Sequence, residues 1–299
     1  MIANLGRALA VAPLQTMRDD PVADVQRAMP LRNLPLIVAG DRVRVERDGA
    51  GAVRATQLAR RESVLERSDQ RGRFKPLAAN LTHLGIVAAA PPGIDTLLVD
   101  QFCVAAERAG LAPLVVINKA DLLEARAREE AERLLADYRR AGYDAVLTDA
   151  KGETGIASLR EALIGRCAAL VGASGVGKSS IVQRLLPERQ IRVGAVSQAT
   201  GLGSHTTSVT FWYELPDGGA IIDSPGVRQY SVSDLQPVDV RRGFREVQEA
   251  AAGCRFNDCT HAVEPDCAVR QAVQEDRIAG WRYANYLKLA GLRAPPAGG

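Results

Sequence analysis

The sequence predicts a multi-domain chain: an N-terminal β-barrel over residues 1–70, a central α/β phosphate-loop domain over 71–233, and a small helical metal-binding domain over 234–299. Three observations predict it. Short β segments with polar turns fill the first part, β and α patterns alternate from Leu81 to about Asp223, and beyond Asp234 the strand patterns give way to short helices around a dense Cys/His cluster. Length agrees, since 299 residues exceed the roughly 100–150 of a typical domain.

Composition is that of a soluble globular protein, 46% apolar and 24% charged. No segment approaches the ~20 continuous apolar residues of a membrane span. The N-terminus, MIANLGRALAVAPLQTMRDDP, sets one Arg before a very short apolar run, too weak for a secretory signal. A cytoplasmic, monomeric protein without a membrane partner is therefore expected. The net charge of +3, from 38 basic and 35 acidic residues, does not by itself identify a nucleic-acid ligand, so local clustering must decide.

In the first region LPLIVAG (34–40), DRVRVER (41–47) and AVRATQL (52–58) read as β segments of a small barrel. The strip from Arg42 to Lys75 has an excess of Lys and Arg, which serves equally as a solvated strand face or as a surface for phosphates. From Leu81 an apolar strand, a helix ending at Gly110 and the strand LAPLVVIN make a βαβ unit. A charged helix from about Leu122 to Ala141, the strand YDAVLT and a helix near Ile156 to Arg166 continue the alternation.

The phosphate loop follows. Gly172, Ala173, Ser174, Gly175, Val176, Gly177, Lys178 and Ser179 satisfy GxxxxGK[ST], between the apolar strand AALV and the helical SSIVQRLL that begins with Ser179 and Ser180. Glycines let successive N–H groups turn onto phosphate oxygens, the helix N-terminus adds its positive dipole end, and Lys178 supplies a mobile charge for binding and for the transition state. Ser179 offers a hydroxyl to Mg²⁺.

Asn118, Lys119, Ala120 and Asp121 match NKxD at the end of the strand LVVIN. The Asp121 carboxylate can accept from guanine N1–H and the exocyclic amine, whereas adenine has no such donor pair and would leave it unpaired. Asn118 would buttress the loops and Lys119 lie along the base. Asp149, Ala150 and Lys151 stand where GTPases carry Ser-Ala-Lys, with the Ala150 N–H meeting guanine O6; Asp149 departs from that pattern.

Asp223-Ser224-Pro225-Gly226 matches DxxG, in which Asp223 holds Mg²⁺ through water and the Gly226 N–H senses the γ-phosphate. Between the phosphate loop and DxxG, the polar stretch 203–208 reads as a switch loop that presents Thr207, or Thr206 beside it, to Mg²⁺ and the γ-phosphate. After DxxG stands Val227, which cannot orient water as a glutamine does. His205 is the histidine placed to act instead.

In ordinary GTPases NKxD follows DxxG; here the order is 118, 149, 172, 206, 223, a circular permutation. A fold tolerates this when the original termini lie close together, because packed strands do not depend on chain order. The switch elements then lead directly into the C-terminal domain.

Cys254, Cys259, His261 and Cys267 form CxxxxCxHxxxxxC. Three thiolates and an imidazole suit tetrahedral zinc, and four protein ligands make the metal structural. Asp258 and Glu264 lie nearby without a ligand role, Cys103 and Cys167 read as inert buried thiols, and His83 as a packing or surface residue.

With GDRV at 40–43, AANL at 78–81, NKAD, GASGVGKSS, HTT at 205–207, DSPG and CRFNDCTH with Cys267, the chain resembles the RsgA (YjeQ) family of circularly permuted GTPases over most of its length. The resemblance implies an oligonucleotide-binding (OB) type of N-terminal barrel, a GTPase domain and a zinc domain. It also implies binding to ribosomal RNA, and GTP hydrolysis to GDP stimulated by the small ribosomal subunit during late maturation. The first ~35 residues lack strand alternation, and Thr82 and His83 stand where the family has Asp-Gln. A nucleotide-gated RNA-binding adaptor with little turnover is the alternative that Val227 suggests.

Overall fold

The computed structural model describes residues 2–4, 8–12, 25–68, 73–90, 93–186, 210–223, 227, 230 and 235–292. The strands are β1 (Ala3–Asn4), β2 (Leu9–Val11), β3 (Gln26–Pro30), β4 (Val43–Arg47), β5 (Val53–Leu58), β6 (Val64–Ser68) and β7 (Phe74–Ala79), then β8 (His83–Ala89). Helix α1 (Thr96–Arg108) leads to β9 (Ala112–Asn118), α2 (Ala125–Arg140) to β10 (Asp144–Leu147), α3 (Glu153–Leu163) to β11 (Cys167–Val171), and α4 (Lys178–Leu185) precedes the hairpin β12 (Phe211–Glu214) and β13 (Ala220–Asp223). Among the described residues the short helices α5 (Pro237–Gly243), α6 (Arg245–Ala251), α7 (Ala268–Gln274) and α8 (Gly280–Leu289) follow.

The central sheet explains the apolar runs. Strands β10, β9, β8, β11 and β13 are parallel neighbours, and parallel strands are covered on both faces. Side chains alternate accordingly. Ile86, Val115, Ile117 and Val171 pack with Val99, Phe102, Leu135 and Tyr138 of α1 and α2. Val87, Leu114, Val116 and Leu170 pack on the other face with Ile156, Leu159, Ile181 and Val182 of α3 and α4. Helix α1 starts where the Asp95 carboxylate accepts from Leu98 N at 3.0 Å, satisfying a donor that the first helical turn leaves open.

The N-terminal strands differ from expectation in three ways. Residues 34–40 form no strand: Pro35 cannot donate to a ladder, and the segment turns where buried Asp41 accepts from Val38 N at 2.8 Å. The Arg61 guanidinium grips the same carboxylate at 2.8 Å, so Ile37, Val38 and Ala39 reach the interior from an irregular segment. Second, β1 pairs with β12, which extends the central sheet through β2 and β3 to β5 and β4, eleven strands among the described residues. Third, β6 and β7 pair with each other in a separate ribbon that straddles residue 70. Ala79 N to Ala39 O (3.0 Å) and Asn80 Nδ2 to Gly40 O (2.8 Å) tie the ribbon to the turn.

The C-terminal helices share a core of Val240, Phe244, Val247, Val269, Ile278 and Tyr286, into which Val104 of α1 also packs. Helix α5 opens with Pro237 and a reciprocal cap between Gln236 and Asp239. Its last residue, Gly243, lets α5 approach α1 closely, for a Cβ there would lie 2.6 Å from Val104 Cα. Among the described residues no helix is long and apolar enough to cross a membrane.

Candidate nucleotide site and metal centre

Because the five central strands run parallel, the loops that leave their C-terminal ends share one edge, where open α/β sheets bind ligands. Residues 149–151 follow β10, residues 118–121 close β9, residues 172–177 follow β11, and Asp223 ends β13 beside it. Motifs separated and reordered along the chain thus meet. Gly172, Ser174, Gly175, Gly177, Lys178, Ser179 and Ser180 line a cleft of about 660 Å³, with Tyr230 on its wall.

Asn118 is the joint of this edge. It is 1% exposed, donates from Nδ2 to Val176 O at 2.9 Å, and accepts at Oδ1 from Ala150 N at 3.3 Å, so one side chain ties the phosphate loop to the loop after β10. Gly177 makes room for it: its φ is +98°, and a Cβ there would collide with Asn118 Nδ2. Lys119 adopts a left-handed conformation (φ 66°) that turns the chain into the short 3-10 helix Ala120–Leu122. There Asp121 lies 3.4 Å from Lys151 Nζ. The Lys178 ammonium lies over the phosphate loop, donating to Gly172 O (2.7 Å) and Ala173 O (2.6 Å).

Asp149, the departure from Ser-Ala-Lys, has a local structural task. Its carboxylate accepts from Lys151 N at 2.8 Å and Gly152 N at 3.1 Å, and Thr148 Oγ1 donates to Gly155 O at 2.6 Å. The Asp-x-x-Gly spacing is an Asx-turn signal, legible in sequence but easily passed over in favour of the base contact. Asp223 is 6% exposed, and Val227 packs into the core at 1% exposure rather than facing the cleft. His205, Thr206, Thr207 and Gly226 lie outside the described residues.

The second centre lies among the C-terminal helices. Cys254, Cys259, His261 and Cys267 bring their ligand atoms within 4.8 Å of one another. Cys254 Sγ is 3.9 Å from Cys267 Sγ, and His261 Nδ1 is 3.5 and 3.6 Å from these two sulfurs. Tetrahedral coordination with metal–sulfur bonds of about 2.3 Å and metal–nitrogen bonds of about 2.0 Å requires sulfur–sulfur edges of about 3.8 Å and sulfur–nitrogen edges of about 3.5 Å. The donor set therefore fits a tetrahedral metal ion. Burial pushes the Cys259 thiol up to about 12, with Cys267 and Cys254 adding to the rise, a penalty that a bound cation reverses. Burial also lowers His261, which favours the neutral imidazole that a metal needs.

Glu264 shapes the ligand loop. Its carboxylate accepts from Thr260 N (2.8 Å), Thr260 Oγ1 (2.6 Å), Ala262 N (3.1 Å) and Val263 N (3.2 Å). Despite the cost of burial, these bonds hold its carboxyl down at about 2. His261 has φ 66°, and its carbonyl accepts from Tyr283 of α8 at 2.6 Å.

A phosphate-loop motif, an NKxD segment and the aspartate of a DxxG motif on one edge of a parallel sheet define a GTPase of the phosphate-loop class, here with its motifs in permuted order. A profile of the family described as RsgA GTPase matches residues 58–233. The chain belongs to this family of GTP hydrolases. It is 44% identical over 288 residues to the small ribosomal subunit biogenesis GTPase RsgA of Chromohalobacter salexigens, covering 95% of this chain and 82% of the relative. The protein of the same description from Azotobacter vinelandii is 45% identical over 266 residues, 88% of this chain and 77% of the relative. Among solved structures, YjeQ from Thermotoga maritima superposes with a TM-score of 0.75 at 28% identity, over 97% of this chain and 95% of that one. YloQ, a circularly permuted GTPase, shares the fold at TM-score 0.75 and 24% identity, over 97% and 92% of the two chains.

Proposed function

We propose that this GTPase binds the small ribosomal subunit, assists its late maturation in the cytoplasm, and hydrolyses GTP to GDP and phosphate there, acting as a monomer. The observation that supports this most is the 44% identity, across 95% of the chain, to a relative described as a small ribosomal subunit biogenesis GTPase. In this reading residues 1–70 form an OB-like unit that contacts ribosomal RNA with the basic strip, residues 71–233 hold the nucleotide, and residues 234–299 are organised by structural zinc.

The cleft lined by the phosphate loop supports the nucleotide assignments of this reading. The N–H groups of residues 172–180 cradle the phosphates, Asp121 and the Ala150 N–H read guanine, Lys119 and Lys151 flank the base, and Gly226 senses the γ-phosphate. Lys178 leaves the loop carbonyls for the β- and γ-phosphates. Ser179, Asp223 and Thr207, or Thr206, would hold Mg²⁺, which neutralises charge on the phosphate oxygens. Val227, buried in the core, supplies no polar group for water, and His205 takes that role in the proposal. Cys254, Cys259, His261 and Cys267 would hold Zn²⁺, whose part is to fold their domain.

GTP turnover measured with purified small subunits, with large subunits and alone tests the reading, together with sedimentation of each mixture with GDP or a non-hydrolysable GTP analogue. Stimulation and co-sedimentation specific to the small subunit are expected. Binding without stimulation would favour the adaptor reading, and no preference for the small subunit would end the proposal.

A further inference from the structure

A pocket of about 300 Å³ between α5, α6 and the ligand loop opens onto the candidate metal centre, for Cys254, Cys259 and His261 are among the residues that line it. Its lining includes Arg241 and Arg242 from the last turn of α5, Gln248 of α6, and Phe256 and Asn257 from between the first two cysteines. Both arginines are exposed, and neither has a carboxylate within ion-pair distance among the described residues. No carboxylate is among the residues that line the pocket.

Phe256 is 40% exposed although its chemistry favours burial. Its ring carries the Arg255 guanidinium 5.5 Å from the centroid, and Arg255 is anchored to Asp266 at 3.2 Å. The metal ligands Cys254 and Cys259 bracket Phe256 and Asn257, so a rigid loop presents them. A cation pair, a fixed aromatic face and two side-chain amides form the set that recognises an unpaired nucleotide: phosphate by charge, base by stacking, base edge by hydrogen bonds. An acidic peptide would use the arginines but leave the ring and amides without a task.

We infer that this pocket takes one unpaired nucleotide of RNA, its phosphate on Arg241 and Arg242 and its base on Phe256, with Gln248 and Asn257 at the base edge. The inference rests on the proposed action on the small subunit, and names where and how the metal-bound domain grips its RNA.

The test uses the full-length, metal-loaded protein and a short fluorescent single-stranded oligoadenylate, with anisotropy read across a salt series. Phe256→Ala should weaken binding about tenfold, as loss of one stacked base does, while Phe256→Tyr keeps it. Replacing both arginines by glutamine should reduce the salt slope by about 0.7, the loss of one neutralised phosphate on a single strand. Basal GTP turnover and metal content should not change. Wild-type protein crosslinked to a thiouridine-bearing RNA reads the site without substitution, and the adduct should fall on the peptide holding Phe256. Unchanged affinity and slope in these variants, or crosslinks confined to other segments, overturn the assignment. Turnover with small subunits separates the two readings: stimulation of the wild type with oligonucleotide binding indifferent to the substitutions sinks the pocket alone, and absence of stimulation sinks the proposed function.

Discussion

Arg282 Nη1 donates to Asp100 Oδ1 at 2.6 Å, across 182 residues of sequence, and joins helix α8, beside the Cys/His cluster, to helix α1 on the central sheet. Both side chains are excluded from solvent. Arg282 Nε also donates to Glu246 at 2.5 Å, and its guanidinium lies 4.7 Å from the Phe244 ring and 5.0 Å from Tyr138. Asp100 accepts in addition from Tyr138 Oη (2.9 Å) and Asn285 Nδ2 (2.8 Å). One buried cation thus serves two carboxylates at the seam between domains.

Removing the cation leaves both carboxylates buried and unpaired. Arg282→Ala should cost about 3–5 kcal/mol of stability. Urea unfolding followed by tryptophan fluorescence checks this, since Trp281 sits at the seam and donates to Asp137 at 2.7 Å.

Burial raises Asp100 to about 6 from 3.8, against the pull of Arg282 and its hydrogen bonds. A carboxyl whose pKa is raised on folding contributes stability that is complete below about pH 3.8 and is lost as pH rises through about 6. Asp100→Asn should therefore remove a downward slope of at most about 1.4 kcal/mol per pH unit between pH 4 and 6. Denaturant midpoints of both proteins over that window decide the matter; parallel curves contradict the assignment.

Asp121→Asn exchanges an acceptor pair for one acceptor and one donor. GTP affinity should fall about tenfold to a hundredfold, the loss of charge-assisted bonds. Xanthosine triphosphate, which has a carbonyl where guanine has the amine, should gain. Competition of both nucleotides for one fluorescent analogue measures the switch.

Asp149→Ala should weaken guanine-nucleotide binding several-fold, because the loop carrying the Ala150 N–H loses two hydrogen bonds of about 1 kcal/mol each. Asp149→Ser, which keeps an acceptor, should recover most of it. Equal affinities for all three proteins in titration calorimetry contradict the role given to this carboxylate.

Chelation, or Cys267→Ser, should release the metal and unfold α7 and α8 before the central sheet, because the ligand loop and Tyr283 are bonded to each other. Hydrogen exchange should show protection lost first over 254–292, with β8 and β9 still protected.

The nucleotide edge was legible because its motifs sit at strand ends, and apolar runs such as LGIVAAA and LAPLVVIN mark buried parallel strands without ambiguity. The cysteine spacing announced the metal cluster in the same way. Less legible was whatever depends on distant partners. Gln26–Pro30 has no apolar alternation and becomes a strand through its neighbours Leu9–Val11 and Val53–Leu58. LPLIVAG has the apolar content of a strand but is held in a turn by Asp41 and Arg61. Nothing in the sequence sets Arg282 apart from the other arginines, and only the packing of α8 on α1 reveals its confinement.

In the extended sheet Ala3 is aligned with Phe211, and Phe211 with Asp223. Two inter-strand steps of about 4.8 Å place the opening strand roughly 10 Å from the aspartate assigned to magnesium. An affinity tag or fluorophore fused ahead of Ala3 would consequently begin its path within roughly 10 Å of the proposed magnesium aspartate, close enough to obstruct nucleotide entry or report on it.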